Sequence, residues 1–436
     1  MHHLLNILAA GGGADPDSTK ALQVFGATAL VVAFGLLATT KRAYRWQRIP
    51  AVGALMSGGW VAIVIGALLG PHALHVIDGD VLLHVRPLLM LGLGWIGVIV
   101  GMQGQAELLK RVPMVLWRWT LIDAVLSVLL TGAIAAIVMS LWLPPQNRTA
   151  VWMLGSVLAL AACMVGWAPE TRSIRVAHTP RATRLAVLVQ SGAGLSAMMA
   201  IALFGLTFGL TGRDEAGQMQ FYVGRAAVEI LIAAVVAILL GFGGRFMLRR
   251  ADRSRPDMLA VFIGLVAISA GVAADLWFSV LLGSMLVGMV VANLAGPRLR
   301  DFERFILGAE HAVALMFFLL AGVLLDPAIG SWGTILVMAL LAVRLVVKPL
   351  ALTKSVAAYA DELPLQSALY AAPVRQSPVA IAIAVGLVLA EVSIFNRRLL
   401  TIIVLVGLLS ELLPFLLSLA LRRQVREKIS PAGGGA

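Results

Sequence analysis

Long apolar runs separated by short charged junctions set the pattern of this chain. They cover 21–39, 51–70, 87–103, 119–141, 150–167, 185–210, 222–244, 257–273, 277–295, 308–325, 332–352, 366–390 and 399–420. A helix crosses the apolar part of a bilayer in about 20 residues, which these runs match, whereas strands of a membrane barrel are shorter and alternate in polarity. The expected fold is therefore an all-α polytopic membrane protein with 13 transmembrane helices. The narrowest separation is Ala274, Asp275 and Leu276, between the eighth and ninth spans.

One span breaks the pattern. Residues 366–390 are apolar enough to cross a membrane but carry Pro373, Arg375, Gln376 and Pro378 near their middle. Each proline removes a backbone donor and clashes with the carbonyl four residues earlier, so Pro373 and Pro378 predict an interrupted helix. Backbone without its helical partners survives at membrane depth only where protein or a water-lined cavity satisfies it. Broken helices of this kind form substrate sites in many secondary transporters. Arg375 and Gln376 thereby become candidate transport residues; the alternative is a kink whose arginine satisfies its own freed carbonyls.

Composition agrees with the spans. Sixty per cent hydrophobic residues, 13% charged residues and a mean hydropathy of +0.94 exclude an ordinary soluble domain. The net charge of +12 bears on topology before it bears on any partner, and no nucleic-acid role is expected. Clusters at Lys41–Arg48, Lys110–Arg111, Arg172–Arg184, Arg245–Arg255, Arg298–Arg304, Lys354 and Arg422–Lys428 fall on alternate junctions. The positive-inside rule then places the N-terminus outside and the C-terminus in the cytoplasm. Residues 1–20 read as an exposed tail, 21–420 as one transmembrane domain and 421–436 as a basic cytoplasmic tail.

A weak repeat runs through the chain. Ala67–Pro71 reads ALLGP and Asn293–Pro297 reads NLAGP, and each is followed by a glycine-containing apolar helix. The copies are offset by an odd number of spans, so the repeat is inverted, a common ground plan of secondary transporters. Span 150–167 is then the counterpart of 366–390.

Few charges lie inside the spans, where they are expensive and mark cavities or pairs. Arg225 and Glu229 stand four apart, share a helix face and can pair. Asp123 is offset from Arg118 by about 140° around the helix and reads as an unpartnered carboxylate. Arg344 and Lys348 share a face and carry like charge, which requires a compensating group or loss of a proton from Lys348. Lys348 is thus a candidate proton carrier or fixed countercharge, with snorkelling to the headgroups as the alternative. Gln190, Ser191 and Ser196 are the polar groups of span 185–210, and no carboxylate occurs there or in 150–167. A desolvated alkali cation favours oxygen ligands with some negative charge, so this absence is notable.

The single cysteine, Cys163, lies in an apolar run and reads as a buried small side chain. The histidines show no metal spacing, and no phosphate loop, dinucleotide fingerprint or nucleophile elbow occurs. Neither an enzyme nor a cofactor is expected.

Arg48–Pro71 (RIPAVGALMSGGWVAIVIGALLGP), Gly283–Pro297 (GSMLVGMVVANLAGP), the MFFLLAGVLLD run and Val343–Leu350 (VRLVVKPL) resemble the monovalent cation:proton antiporter superfamily, especially its Kef-type and NapA-like branch. That resemblance covers about 21–420 and implies inverted repeats, two crossed discontinuous helices, a mobile core, a dimerisation domain and a homodimer in a bacterial inner membrane. By the same resemblance, Lys348 matches a basic residue before the second crossed helix and Arg375 an arginine near its break. The polar motif of the first crossed helix is replaced by ACMV at Ala162–Val165. In the next helix Gln190 stands at a glutamate position, with Gly194 and Leu195 where two carboxylate or amide residues are usual.

The resulting expectation is a secondary transporter of the Na⁺/H⁺ or K⁺/H⁺ type with an altered site. Its candidate transport residues are Lys348, Arg375, Gln376, Gln190, Ser191, Asp123 and Glu229, and its helix breaks Pro373 and Pro378. Substrates would be a monovalent cation, a proton or a small anion, with membrane lipid around a homodimer. An organic-anion carrier and a non-transporting scaffold or sensor are the alternatives.

Overall fold

The structure is a computed structural model that describes residues 59–77, 79–142, 150–168, 180–213, 219–221, 223–250, 255–276, 278–294, 313–356, 374–390 and 397–411, with helical positions 26, 29 and 33. Pro373, both tails and most of the first expected span lie outside the described residues. The helices are α1 (Trp60–Leu69), α2 (Gly79–Met102), α3 (Ala106–Arg111), α4 (Met114–Trp142), α5 (Ala150–Val165), α6 (Pro180–Leu210), α7 (Val223–Arg250), α8 (Arg255–Asp275), α9 (Val280–Leu294), α10 (Val313–Val323), α11 (Gly330–Val356), α12 (Pro378–Ala390) and α13 (397–411). Six of them, α2, α4, α6, α7, α8 and α11, are long and apolar enough to cross a membrane.

The fold is all-α, as expected, with a short ribbon at one junction. β1 (Thr211–Arg213) and β2 (Met219–Phe221) pair antiparallel, with Thr211 opposite Phe221 and Arg213 opposite Met219. The ribbon joins the end of α6 to the start of α7. Backbone groups leaving a helix must find partners, and two short strands side by side supply them.

The chain forms two compact units. One comprises residues 1–99, 232–328 and 384–401, and the other 100–231, 329–383 and 402–436. In the first unit α8 packs on α9, joined by a 3.0 Å hydrogen bond between the Ser269 and Ser284 hydroxyls. A Cβ on Gly66 of α1 would overlap the Leu319 carbonyl of α10, and one on Gly322 would overlap the Ile63 carbonyl. The two glycines let the helix backbones touch, the close approach that apolar surroundings favour when lipid is as greasy as leucine. Asp326, beyond α10, accepts from Ala328 N at 2.9 Å and from Arg398 Nε at 3.3 Å.

In the second unit α4 packs against α11, α5 and α6, and α5 against α6. Helix α4 is inside out by the standards of a soluble protein. Its buried face carries Thr120, Asp123, Ser127, Thr131 and Ala135, while Leu121, Ile122, Val125, Leu129 and Ile137 are exposed. An apolar solvent rewards that arrangement, because the polar side chains find partners only among neighbouring helices.

Candidate functional site

The site is built where two helices stop. Helix α5 ends at Val165, after which Trp167 forms an isolated antiparallel bridge with Gln376 and Ala168 N donates to the Arg375 carbonyl at 2.9 Å. Residues 374–377 are not helical, and α12 starts at Pro378. The local sequence explains that start. Proline at the first helical position loses only a donor that would be orphaned anyway, and the Ser377 hydroxyl before it accepts from Val379 N at 3.2 Å as an N-cap.

Stopping α5 inside the protein leaves its last carbonyls without helical donors and at the negative end of its dipole. Two cations from α11 meet them. Arg344, 1% exposed, donates through Nη1 to the Met164 carbonyl at 3.3 Å and through Nη2 to that of Gly166 at 3.0 Å. It also donates to the carbonyls of Val374 at 2.7 Å and Arg375 at 2.8 Å, so one planar fork ties the end of α5 to the non-helical residues before α12. Lys348, 2% exposed, fills the gap by donating to the Val165 carbonyl at 2.7 Å.

The same ammonium donates to Asp123 Oδ2 on α4 at 2.7 Å. Asp123 is 4% exposed, and its Oδ1 has no protein partner among the described residues. The expectation of an unpartnered Asp123 is therefore corrected: its partner comes from a distant helix, and the same contact compensates the adjacent cations of α11. Counting Asp123, Lys348 and Arg344 in their ionised forms, the cluster holds one net positive charge. Asp123 Oδ1 thus keeps acceptor capacity that no donor among the described residues takes up.

The other candidates are distributed differently. Arg375 Nη2 pairs with Glu411 Oε1 of α13 at 3.1 Å. Gln376 is 7% exposed, and neither its amide oxygen nor its amide nitrogen has a protein partner among the described residues. A Cβ on Gly407 would overlap that oxygen. Gln190 is exposed, and the Ser191 hydroxyl donates to the Val187 carbonyl of its own helix at 2.9 Å, so neither joins the cluster. Glu229 Oε1 accepts from Arg225 Nε at 2.6 Å, a pair within α7 that stands apart from Lys348. From α6 it is Ser196 that reaches the break, its hydroxyl accepting from Trp167 N at 3.4 Å. A Cβ on Gly194 would overlap the amide oxygen of Gln103.

Arg344 and Glu411 are the residues that the sequence candidates omitted. Spacing of four on α11 linked Arg344 to Lys348, yet nothing local identifies backbone carbonyls from two other segments as its acceptors. Among the described residues no group of three or more histidine, cysteine, aspartate or glutamate side chains could hold a metal ion.

A model of the sodium/hydrogen exchanger transmembrane family matches residues 30–419. The fold is similar to that of the sodium proton antiporter MjNhaP1 from Methanocaldococcus jannaschii at pH 8, with a TM-score of 0.58 and 16% identity over 91% of this chain and 96% of that one. An electron-microscopy structure of the same antiporter gives a TM-score of 0.56 and 14% identity over 95% of this chain and 99% of the other. No curated protein sequence matches the chain.

Proposed function

The chain belongs to the sodium/hydrogen exchanger transmembrane family, and from that premise we propose that it is a membrane secondary transporter exchanging a monovalent cation for protons through an altered site. Asp123 serves as its exchangeable carboxylate and Lys348 as the competing internal cation. The supporting observation is the 2.7 Å contact between these two buried groups beside the unwound end of α5. Protonation of Asp123 releases Lys348, and a cation arriving at Oδ1 competes with both. Arg344 stays on its carbonyls throughout and keeps the two unwound segments together. Arg375 and Gln376 line the same break, and Gln190, Ser191 and Glu229 are proposed only as outer contributors.

The arrangement expected around this site has 13 spans, inverted repeats and two crossed discontinuous helices, within a domain of 21–420 that moves in a homodimer. The proposed setting is a bacterial cytoplasmic membrane with the N-terminus outside. Interrupted backbone at 166–168 and 374–377 supports the crossing.

A second reading, carriage of a small anion, draws on the net positive charge of the cluster and the unpartnered Gln376 amide nitrogen. Proteoliposomes with an imposed pH gradient separate the two. Gradient dissipation that requires Na⁺ or K⁺ and disappears in Asp123→Asn supports exchange; dissipation driven by organic anions alone replaces it with anion carriage. No dissipation under either condition leaves a non-transporting scaffold.

A further inference from the structure

We infer that Ser127 and Thr131 form a hydroxyl relay that delivers protons to Asp123 along the seam between α4 and α5. This inference rests on the reading of Asp123 as a proton-exchanging group. Thr120, Asp123, Ser127 and Thr131 fall within a narrow arc of α4 at its 3.6-residue period, and all four are buried. Ser127 lies beside the Asp123 carboxylate. Thr131 is one turn further on, and the three groups span about 12 Å of helix rise.

Thr131 is the unusual member. Hydroxyls on membrane helices ordinarily satisfy themselves on the carbonyl three or four residues back. Thr120 does so on Leu116 at 2.8 Å, Ser191 on Val187, Ser269 on Val266 and Ser410 on Gly407. Thr131 is fully buried, yet its Oγ1 makes no such bond and has no protein partner among the described residues. Unpartnered buried oxygens therefore stand at both ends of the ladder, Asp123 Oδ1 and Thr131 Oγ1. A buried polar atom in an apolar medium loses free energy unless something donates or accepts, and water is the molecule that does both.

The flanking helix supports the direction of the track. Gly132, beside Thr131, faces Val157 of α5, and the α5 residue that accepts from Lys348 next to Asp123 is Val165. A step of nine residues on α4, from Asp123 to Gly132, thus runs alongside one of eight on α5, from Val165 to Val157, in the opposite sense. At the far end the two helices are in ordinary contact, where Val157 Cγ1 would lie 3.5 Å from a Cβ on Gly132. Charged or titratable groups facing Asp123 are Lys348 and Arg344 from α11 and, beside Arg344, Cys163 from α5. Residues 186–210 of α6 contain none. In each transfer a hydroxyl accepts one proton as it gives up its own, with water bridging the turn between hydroxyls, so every hydroxyl and water ends neutral and the one charge change is neutralisation of the Asp123 carboxylate by the delivered proton.

A relay alters the rate at which Asp123 gains its proton and leaves the equilibrium unchanged. The test is a pH jump on the full chain in lipid, followed by the infrared carbonyl band of protonated Asp123, which is assigned by its loss in Asp123→Asn. We expect Thr131→Val to slow the appearance of that band by about 10–100-fold at an unchanged midpoint pH, with Ser127→Ala acting similarly. Thr131→Ser, which keeps the hydroxyl, should restore the rate. Equal rates in wild type and Thr131→Val, a shifted midpoint, or no titrating band from Asp123 would each overturn the relay. The measurement needs no transport, so failed cation exchange in proteoliposomes sinks the functional reading without deciding the relay.

Discussion

Lys348 and Asp123 lie 225 positions apart in the chain, yet their side chains meet at 2.7 Å with almost no exposure. Removing one partner of a buried ion pair leaves the other charge uncompensated, which destabilises by about 3–5 kcal/mol. Lys348→Gln and Asp123→Asn should each lower the melting temperature in detergent and abolish cation-dependent proton movement. The double variant should recover stability, because neither charge is then stranded, without recovering transport. A double-mutant cycle on thermal unfolding measures the coupling; additive losses would show that the pair does not act as a unit.

Arg344 presents a different case, since its acceptors are four backbone carbonyls. Each charge-assisted hydrogen bond contributes about 1.5–3 kcal/mol, and lysine cannot reproduce a planar fork. Arg344→Lys should therefore be nearly as damaging as Arg344→Met, seen as loss of the monodisperse peak in size-exclusion chromatography. A well-folded Arg344→Lys protein would mean that charge alone holds the break.

Arg375 and Glu411 should separate folding from function. Their pair is less buried than Lys348 with Asp123, so its electrostatic gain is smaller. Arg375→Gln and Glu411→Gln should keep a melting temperature within a few degrees of wild type while reducing flux several-fold. Unfolding of either variant would assign the pair a structural role.

Helix packing in the first unit makes a sharper prediction from glycine. Gly66→Ala and Gly322→Ala would push a methyl group into backbone of the facing helix, and both should abolish the folded protein. Gly264→Ala and Gly271→Ala meet nothing within 4 Å, so they should be neutral or stabilising by about 0.5–1 kcal/mol. Expression and melting temperature of the four variants decide it.

Cys163 offers a check that requires no transport assay. It is 1% exposed, and its thiol faces the Ala380 carbonyl at 3.6 Å. Maleimide should leave the native protein unlabelled and label it fully in denaturant. Rapid native labelling would require that α5 and α12 separate there.

Much of this architecture was legible in the sequence because the bilayer imposes length and polarity on every span. The split at Ala274–Leu276 and the start of α12 at Pro378 both follow from local rules, which operate within a turn or two. The site itself was only half legible. Asp123 looked solitary because periodicity compares residues on one helix, whereas its partner comes from α11. Gln190 and Ser191 are polar groups of span 185–210, and Gln190 stands at a glutamate position of the resembled family, but the helix turns them away from the cluster and presents Ser196 to Trp167 N. Among the described residues Arg344 donates to backbone carbonyls and to no side chain, and carbonyls carry no residue signature.

That last feature reaches beyond the site. A side chain that recognises only main chain places no demand on the identity of the residues it holds. The hold of Arg344 on Met164, Gly166, Val374 and Arg375 survives any change of those side chains that keeps the path of the backbone, whereas it does not survive a change of Arg344. Substitutions at Met164 and Val374 are then limited by their own burial, and those at Arg375 by its pair with Glu411, and not by the clamp. Relatives could accumulate new chemistry at the break while the clamp around it stays fixed.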